Sequence, residues 1–392
     1  MNAFRVESGL ERRALEIVRN RPDVQFAELD VLHQRQFSPN DPQFSAQWHH
    51  QSLASTNAWR INSGEAFVRI AIVDTPFQMN HPDLQSNTAP GWDVVNEQPI
   101  TESSGILHST ATAGMAAAVI HNQLGIAGVS NCQILPININ GFTSEMYNAV
   151  IWAADNGVRV VNISWDGANS PSLNEAGLYL ENKLNGMLIM PGLNGSGSLD
   201  YPNHPHIVCV SMTDAAENMQ SRDGDHIDFS APGWDVLTTA HNGGYATVRG
   251  TSYSAPLVAG IVGVLFSINP RLTPDAVFQI LKETALDFGR PGWDPFFGWG
   301  RIHFGKAAEA AAATLPRLVI NNSFYTSEGF TASFQRVEGM RFTLWKTPRL
   351  DSDSWIPVTH VIQKIEGTTI SLTDPDPLDR QAFYKVQGKF LP

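Results

Sequence analysis

Basic residues are scarce: 26 Lys and Arg stand against 38 Asp and Glu, giving a formal net charge of −12 in 392 residues. Such a chain lacks the electrostatic footprint of a phosphate-backbone binder, so nucleic acid is not an expected partner. Charge of either sign is sparse, at 16 % of residues, whereas hydrophobic residues make up 42 %. That composition can bury a sizeable core and does not describe a disordered chain. Cysteine is nearly absent: Cys132 and Cys209 stand alone, each in an apolar strand-like run (NCQILPI and HIVCVSM). Two buried, unpaired thiols are expected, although a single disulfide stays open on sequence alone. No apolar run is long enough to cross a bilayer; the longest, Ala255–Ile268, reads as a buried core helix. The first twenty residues carry Arg5, Glu7, Glu11, Arg12 and Arg13 and show no apolar core of an export signal. The expectation is an intracellular protein or a chain that starts downstream of such a signal.

What is present divides into three regions. Residues 1–37 are charged, with a helical pattern in LERRALEIVRN and a strand pattern in VQFAELDV. Residues 38–314 alternate β-branched runs with helical stretches. Strands are expected at Val68–Asp74, Gln133–Ile139, Arg159–Trp165, Met187–Met190 and Ile207–Met212. Helices are expected at Ser109–His121, Ser144–Asn156, Leu173–Leu184, Ser252–Ile268 and Pro274–Thr284. Continuous Val/Ile runs separated by amphipathic helices predict an α/β fold of three layers, with a mainly parallel central sheet covered on both faces. Residues 315–392 change to short alternating segments such as FTASF, RFTLWKT and TTISLT, divided by turn signals. They predict a small C-terminal antiparallel β domain.

Three segments carry chemistry. The strand VRIAIVD ends at Asp74, where a parallel sheet gathers its reactive groups. A carboxylate there can fix the tautomer of an imidazole, although a lone Asp at a strand end is more often a cap or turn former. His108, in LHSTATAGMAAAV, precedes a helix of small residues that can lie close to the sheet. Ser252, in RGTSYSAPLVAGIVGVL, opens an apolar helix whose N–H groups and dipole would favour an oxyanion. A plain N-cap explains an isolated Ser, but less well the company of Gly250, Thr251, Ala255 and Pro256.

These segments, in the order Asp, His, Ser, resemble the subtilisin-like serine peptidases, and among them the thermitase-like branch. VDTPFQMNHPDL, GIAGVS, DFSAPGWDV, GTSYSAPLVAG and PNDPQFSAQWH all have close counterparts in that family. The resemblance covers about residues 38–314 and implies a serine endopeptidase with Asp74, His108 and Ser252 as a triad. It implies Asn194, in PGLNGSGS, as the side-chain oxyanion donor. A peptide substrate would lie along Ser164, Trp165 and Asp166, with Gly192 and Leu193 on the opposite wall. Residues 1–37 resemble the second half of an inhibitory propeptide, which implies self-cleavage between about 33 and 40 and the chain's own propeptide as a partner. The family also implies a calcium ion held by Asp41, Asp83 and Asn122 with carbonyls of residues 122–126, no catalytic cofactor, polypeptide substrates, a monomer, and secretion. The C-terminal domain resembles small modules appended to secreted bacterial enzymes.

Four positions depart from the family's usual glycine: Pro76, Ser109, Asp166 and Leu193. Leu193 would narrow the pocket before the cleaved bond, and Asp166 would favour a basic side chain there unless it points to solvent. The departures make a catalytically silent subtilisin-fold binding protein with an altered substrate pocket the rival expectation. No G-x-S-x-G elbow supports an α/β-hydrolase.

Overall fold

The computed structural model describes residues 11–19, 37–100, 105–316, 318–348, 355–377 and 382–390. The described residues form two compact units, one built mainly from residues 37–316 and one from residues 318–336 and 342–389 together with residues 11–19. The larger unit is the one that concerns chemistry.

Its centre is an eight-stranded sheet. In chain order the strands are β1 (Arg69–Asp74), β2 (Trp92–Asp93), β3 (Gln98–Pro99), β4 (Gln133–Asn138), β5 (Val160–Ile163), β6 (Met187–Pro191), β8 (Val208–Thr213) and β10 (Phe229–Pro232), with a short outlying pair, β7 (Ser198–Leu199) and β9 (Asp223–Gly224). Their spatial order is β10-β8-β6-β5-β1-β4-β2-β3, parallel throughout except for the β2–β3 pair. After β1 the chain builds β4 on one side, then crosses back to place β5, β6, β8 and β10 on the other. The reversal falls between β1 and β5, and a crevice opens beyond their carboxyl ends. Asp74 is the last residue of β1, and Ser164 follows the end of β5.

Side chains alternate between the two faces, as period-2 strands require. Ile70, Ile72, Ile134 and Ile189 face one core, with helices α4 (Leu107–Ala117), α7 (Thr251–Ile268), α8 (Pro274–Thr284) and α9 (Phe304–Ala313). Ala71, Val73, Ile137 and Ile163 face the other, with α5 (Thr143–Asp155) and α6 (Pro171–Leu184). The first core also holds two short helices, α2 (Trp48–Leu53) and α3 (Ser55–Trp59). Helix α7 is apolar all round, long enough by length and composition to cross a membrane, and buried in this core. Small residues let α7 approach α4 and the sheet: a Cβ on Gly260 would meet the carbonyl of Ala116 at 2.6 Å. A hairpin of β11 (Val236–Ala240) and β12 (Gly244–Val248) lies against α4. Cys132 and Cys209 are both buried and unpaired.

In the smaller unit, strands β13 (Ile320–Thr326), β14 (Gly329–Gln335), β17 (Ile362–Glu366) and β18 (Thr369–Asp374) form one antiparallel sheet. Strands β15 (Met340–Thr347), β16 (Ile356–Pro357) and β19 (Phe383–Phe390) form another. Ala332, Phe334, Leu344, Ile370 and Leu372 are buried there, and Asp374 is held by Lys346 Nζ at 3.0 Å and Tyr384 Oη at 2.9 Å. Helix α1 (Glu11–Arg19) occupies the expected helical stretch near the N-terminus. The strand expected at 24–31 lies outside the described residues, as do residues 33–36 of the expected cleavage segment.

Candidate active site

Asp74 is buried at the end of β1. Its Oδ1 accepts from the backbone N–H of Thr75 at 2.7 Å, and its Oδ2 from Thr112 Oγ1 at 3.3 Å. Both oxygens face Nδ1 of His108, at 3.1 and 2.9 Å. That contact fixes the imidazole with its proton on Nδ1 and its Nε2 free to accept one. Burial alone would push the pKa of His108 down; the hydrogen bond and charge of Asp74 outweigh it and hold the group above its ordinary value.

The expected helix after His108 starts earlier than predicted, at Leu107, so His108 lies in the first turn of α4 rather than ahead of it. The replaced glycine position beside it explains the geometry. Ser109 is fully buried and donates from Oγ to the carbonyl of Pro76 at 2.9 Å and to that of Ile106 at 3.3 Å. The Ser109 hydroxyl, which a glycine would lack, therefore ties the start of α4 to the loop after β1.

Ser252 is the second residue of α7. The helix is entered through Gly250 at φ 153°, ψ 150°, a conformation L side chains avoid. In the first turn the N–H of Ser252 has no intrahelical acceptor and faces outward with the positive end of the dipole. Four residues on, Pro256 has no N–H to give to the carbonyl of Ser252. Ser164 Oγ supplies the missing donor at 2.9 Å, and Asn162 Nδ2 in turn donates to Ser164 Oγ at 2.8 Å. Ser164, expected only as a wall for substrate, thus anchors the backbone of Ser252. The signal was in the sequence as a Pro four residues after the Ser, but its partner 88 residues away was not.

Asn194 follows β6. Its Oδ1 accepts from the backbone N–H of Thr251 at 2.9 Å and from Thr251 Oγ1 at 3.3 Å. Thr251 Oγ1 also donates to the carbonyl of Gly192. The ring of Tyr253, next to Ser252, lies 5.7 Å from that of His108. Among the described residues no direct hydrogen bond joins His108 to Ser252 Oγ; in apo sites of this kind such bonds often close only with substrate.

Of the remaining expected wall residues, Trp165 covers Gly141, where a Cβ would meet its ring at 2.4 Å. Gly192 lies against Ile227, and Leu193 is half-buried with its carbonyl accepting from Arg222 N–H at 2.9 Å. Asp166 is exposed, yet its charge reaches inward: after the larger effect of burial, it contributes to raising the phenol pKa of Tyr201. It also works against the burial that depresses His226, whose ring lies 5.2 Å from that of Tyr201.

The three expected calcium ligands converge on one loop. Asp41 accepts from the N–H groups of His121 and Asn122 at 2.9 and 3.1 Å. Asp83 accepts from Asn122 Nδ2 at 2.7 Å and Ile126 N–H at 2.9 Å. Burial, with the nearby charge of Asp41 as a smaller cause, raises the pKa of Asp83. These partners of the two carboxylates are N–H and amide NH2 groups, and Asn122 Oδ1 accepts from Leu124 N–H at 2.8 Å; a hard cation would take these same oxygens in place of those donors.

Residues 66–300 match the Subtilase family of peptidases. Thermitase of Thermoactinomyces vulgaris is 36% identical over 284 residues, covering 70% of this chain and all of that protein. The halolysin-like extracellular serine protease Nep of Natrialba magadii is 31% identical over 310 residues, covering 75% of this chain; the chain spans 56% of Nep's length. A solved protease structure from Pseudoalteromonas arctica superposes with a TM-score of 0.61 at 26% identity, covering 70% of this chain and 100% of that one. The fold and the site define a hydrolase of the subtilisin-like serine endopeptidase class. The chain belongs to the subtilase family, in its thermitase-like branch.

Proposed function

We propose that this chain cleaves polypeptides through an acyl-enzyme on Ser252, with His108 as general base and acid, Asp74 as its orienting carboxylate, and Asn194 as oxyanion donor. The observation that carries this reading is the bond between Asp74 and His108 at 2.9 Å, at the same crevice where Thr251 N–H fixes Asn194 beside Ser252. Ser252 Oγ attacks the scissile carbonyl while His108 Nε2 takes its proton. The N–H of Ser252 and the Nδ2 of Asn194 receive the oxyanion. The tetrahedral species collapses, His108 gives its proton to the leaving amine, and water repeats the sequence to free the acid.

The substrate's acyl half pairs as an added strand along Ser164, Trp165 and Asp166, with its last side chain directed between that segment and Gly192–Leu193. Asp166 favours a basic side chain there. Asp41, Asp83 and Asn122 would hold a calcium ion with a structural role, linking the start of the larger unit to the loop after α4. Residues 1–37 act as a propeptide that the enzyme removes itself. The enzyme works outside the cell, as a monomer; the word "extracellular" in the name of the Natrialba relative supports the location.

A peptide-library cleavage profile, with Ser252→Ala as control, tests the reading. Cleavage by wild type alone, enriched for Lys or Arg before the cut, is expected. Equal profiles from both proteins would contradict it.

A further inference from the structure

We propose that the smaller unit carries a polypeptide-binding site of its own: a cavity beside the Lys346–Asp374 pair that takes an apolar side chain together with the carbonyl of the same residue. The cavity holds about 400 Å³, within the range of small-ligand sites, roughly 300–1,000 Å³. Lys346, Asp374, Ile356, Pro357, Val358 and Pro375 line it, and the exposed Asp376 and His360 stand at its mouth. All of these residues lie outside the span 66–300 that matches the subtilase family, and none belongs to the triad.

Strand alternation puts a charged pair where hydrocarbon would be expected. Phe342, Leu344 and Lys346 of β15 are buried, as are Ile370, Leu372 and Asp374 of β18 in the other sheet. Each strand thus ends its buried face on a charge, and the two charges meet at 3.0 Å. Lys346 is only 9 % exposed and Asp374 1 %. For stability alone, hydrocarbon of similar volume would serve as well or better, because desolvating two charges offsets most of their attraction. A pair kept at the wall of a cavity points to recognition instead.

The hydrogen bonds of the pair decide what the ligand must bring. Asp374 is filled: Oδ1 accepts from Lys346 Nζ at 3.3 Å and Asp376 N–H at 3.1 Å, and Oδ2 from Lys346 Nζ at 3.0 Å and Tyr384 Oη at 2.9 Å. An ammonium has three donors. Among the described residues, the Asp374 carboxylate and the Asp376 carbonyl account for two of them. The third is left for an oxygen on the ligand. One cation against the carboxylates of Asp374 and Asp376 gives the cavity a net negative charge, so that oxygen belongs to a neutral group rather than an anion. Ile356, Pro357, Val358 and Pro375 offer hydrocarbon, which would leave most hydroxyls of a sugar unpaired and suits an apolar side chain with one carbonyl. Strand addition is not the mode of binding. Pro357 has no N–H to offer along the outer edge of β16, and Val358 N–H donates to the carbonyl of Leu344 at 2.9 Å.

Photo-cross-linking to the full chain carrying Ser252→Ala tests this. The probe is a tripeptide blocked at both ends, with photoreactive p-benzoylphenylalanine between two alanines, and mass spectrometry maps its adducts. An adduct is expected on residues 356–360 or 374–376, besides any in the crevice of the larger unit. The same tripeptide with leucine at its centre should compete for it, whereas the aspartate version and methyl glucoside should not. Ile356→Glu, at an exposed wall position, should lower this adduct about tenfold and leave crevice adducts unchanged. Lys346→Met combined with Asp374→Leu, which keeps the core apolar, should lower it likewise, with an unchanged Tm showing that each variant folds. No adduct at 356–360 or 374–376, an adduct that both variants leave intact, or one displaced by methyl glucoside and not by the leucine peptide overturns the inference. Adducts in the crevice alone overturn it too and leave the peptidase reading standing.

Discussion

The backbone N–H of Thr251 donates to Oδ1 of Asn194 at 2.9 Å, and this bond decides which end of the amide faces the crevice. With the carbonyl end also taking the hydroxyl of Thr251, the NH2 end is left for the oxyanion. Asn194→Ala should lower kcat about 10²–10³-fold with little change in KM, a range established on a subtilisin rather than on this chain. Steady-state kinetics on a peptide amide substrate check it. An unchanged kcat would remove Asn194 from the mechanism.

Asp74 holds the pKa of His108 above that of a free imidazole despite the opposing effect of burial. The base works when neutral, so the acid limb of kcat/KM should lie above pH 6.5. Asp74→Asn should move that limb lower and cut kcat by about 10⁴, as in the analogous triad of another fold. The sign for stability is opposite: the raised group stabilises the fold fully below its unfolded pKa, and this contribution is lost as pH rises through the folded value. A pH–rate profile with its midpoint below 6.5 would contradict the pairing.

Ser164 Oγ stands in for the N–H that Pro256 lacks. Ser164→Ala should cost about 1–3 kcal/mol of stability by leaving the carbonyl of Ser252 without that donor. Adding Pro256→Ala should recover part of the loss, because residue 256 then regains an N–H at the helical position for that carbonyl. Urea unfolding of the four members of the cycle reads the coupling; additive effects would show that the two residues act independently.

These cases show what was legible in the sequence. Asp74, His108, Asn194 and Ser252 stood out because each lies in a short motif whose meaning is local, and the parallel sheet followed from Val/Ile runs buried on both faces. The anchoring role of Ser164 was not legible, since it depends on a hydroxyl just after β5 and a carbonyl at the start of α7, 88 residues apart, that only folding brings together. Ser109 likewise read as a lost glycine, and only folding shows its hydroxyl on the carbonyl of Pro76. In the smaller unit, β13 and β17 escaped notice because their residues are exposed throughout and lack a clear apolar alternation.

Calcium bound by Asp41, Asp83 and Asn122 should stabilise only the folded state. At a hundredfold excess over Kd the gain is about 2.7 kcal/mol. Thermal unfolding should shift upwards with calcium and downwards with chelator, and Asp83→Asn should blunt both shifts. A midpoint indifferent to calcium and chelator would remove the ion from the account.

The central claim is that Ser252 is a nucleophile activated by His108. Labelling with a fluorophosphonate probe, followed by mass-spectrometric mapping of the modified peptide, tests it most directly. One adduct on Ser252 is expected, absent in Ser252→Ala and strongly slowed in His108→Ala. No adduct on wild type, or an adduct on another residue that survives Ser252→Ala, would contradict it.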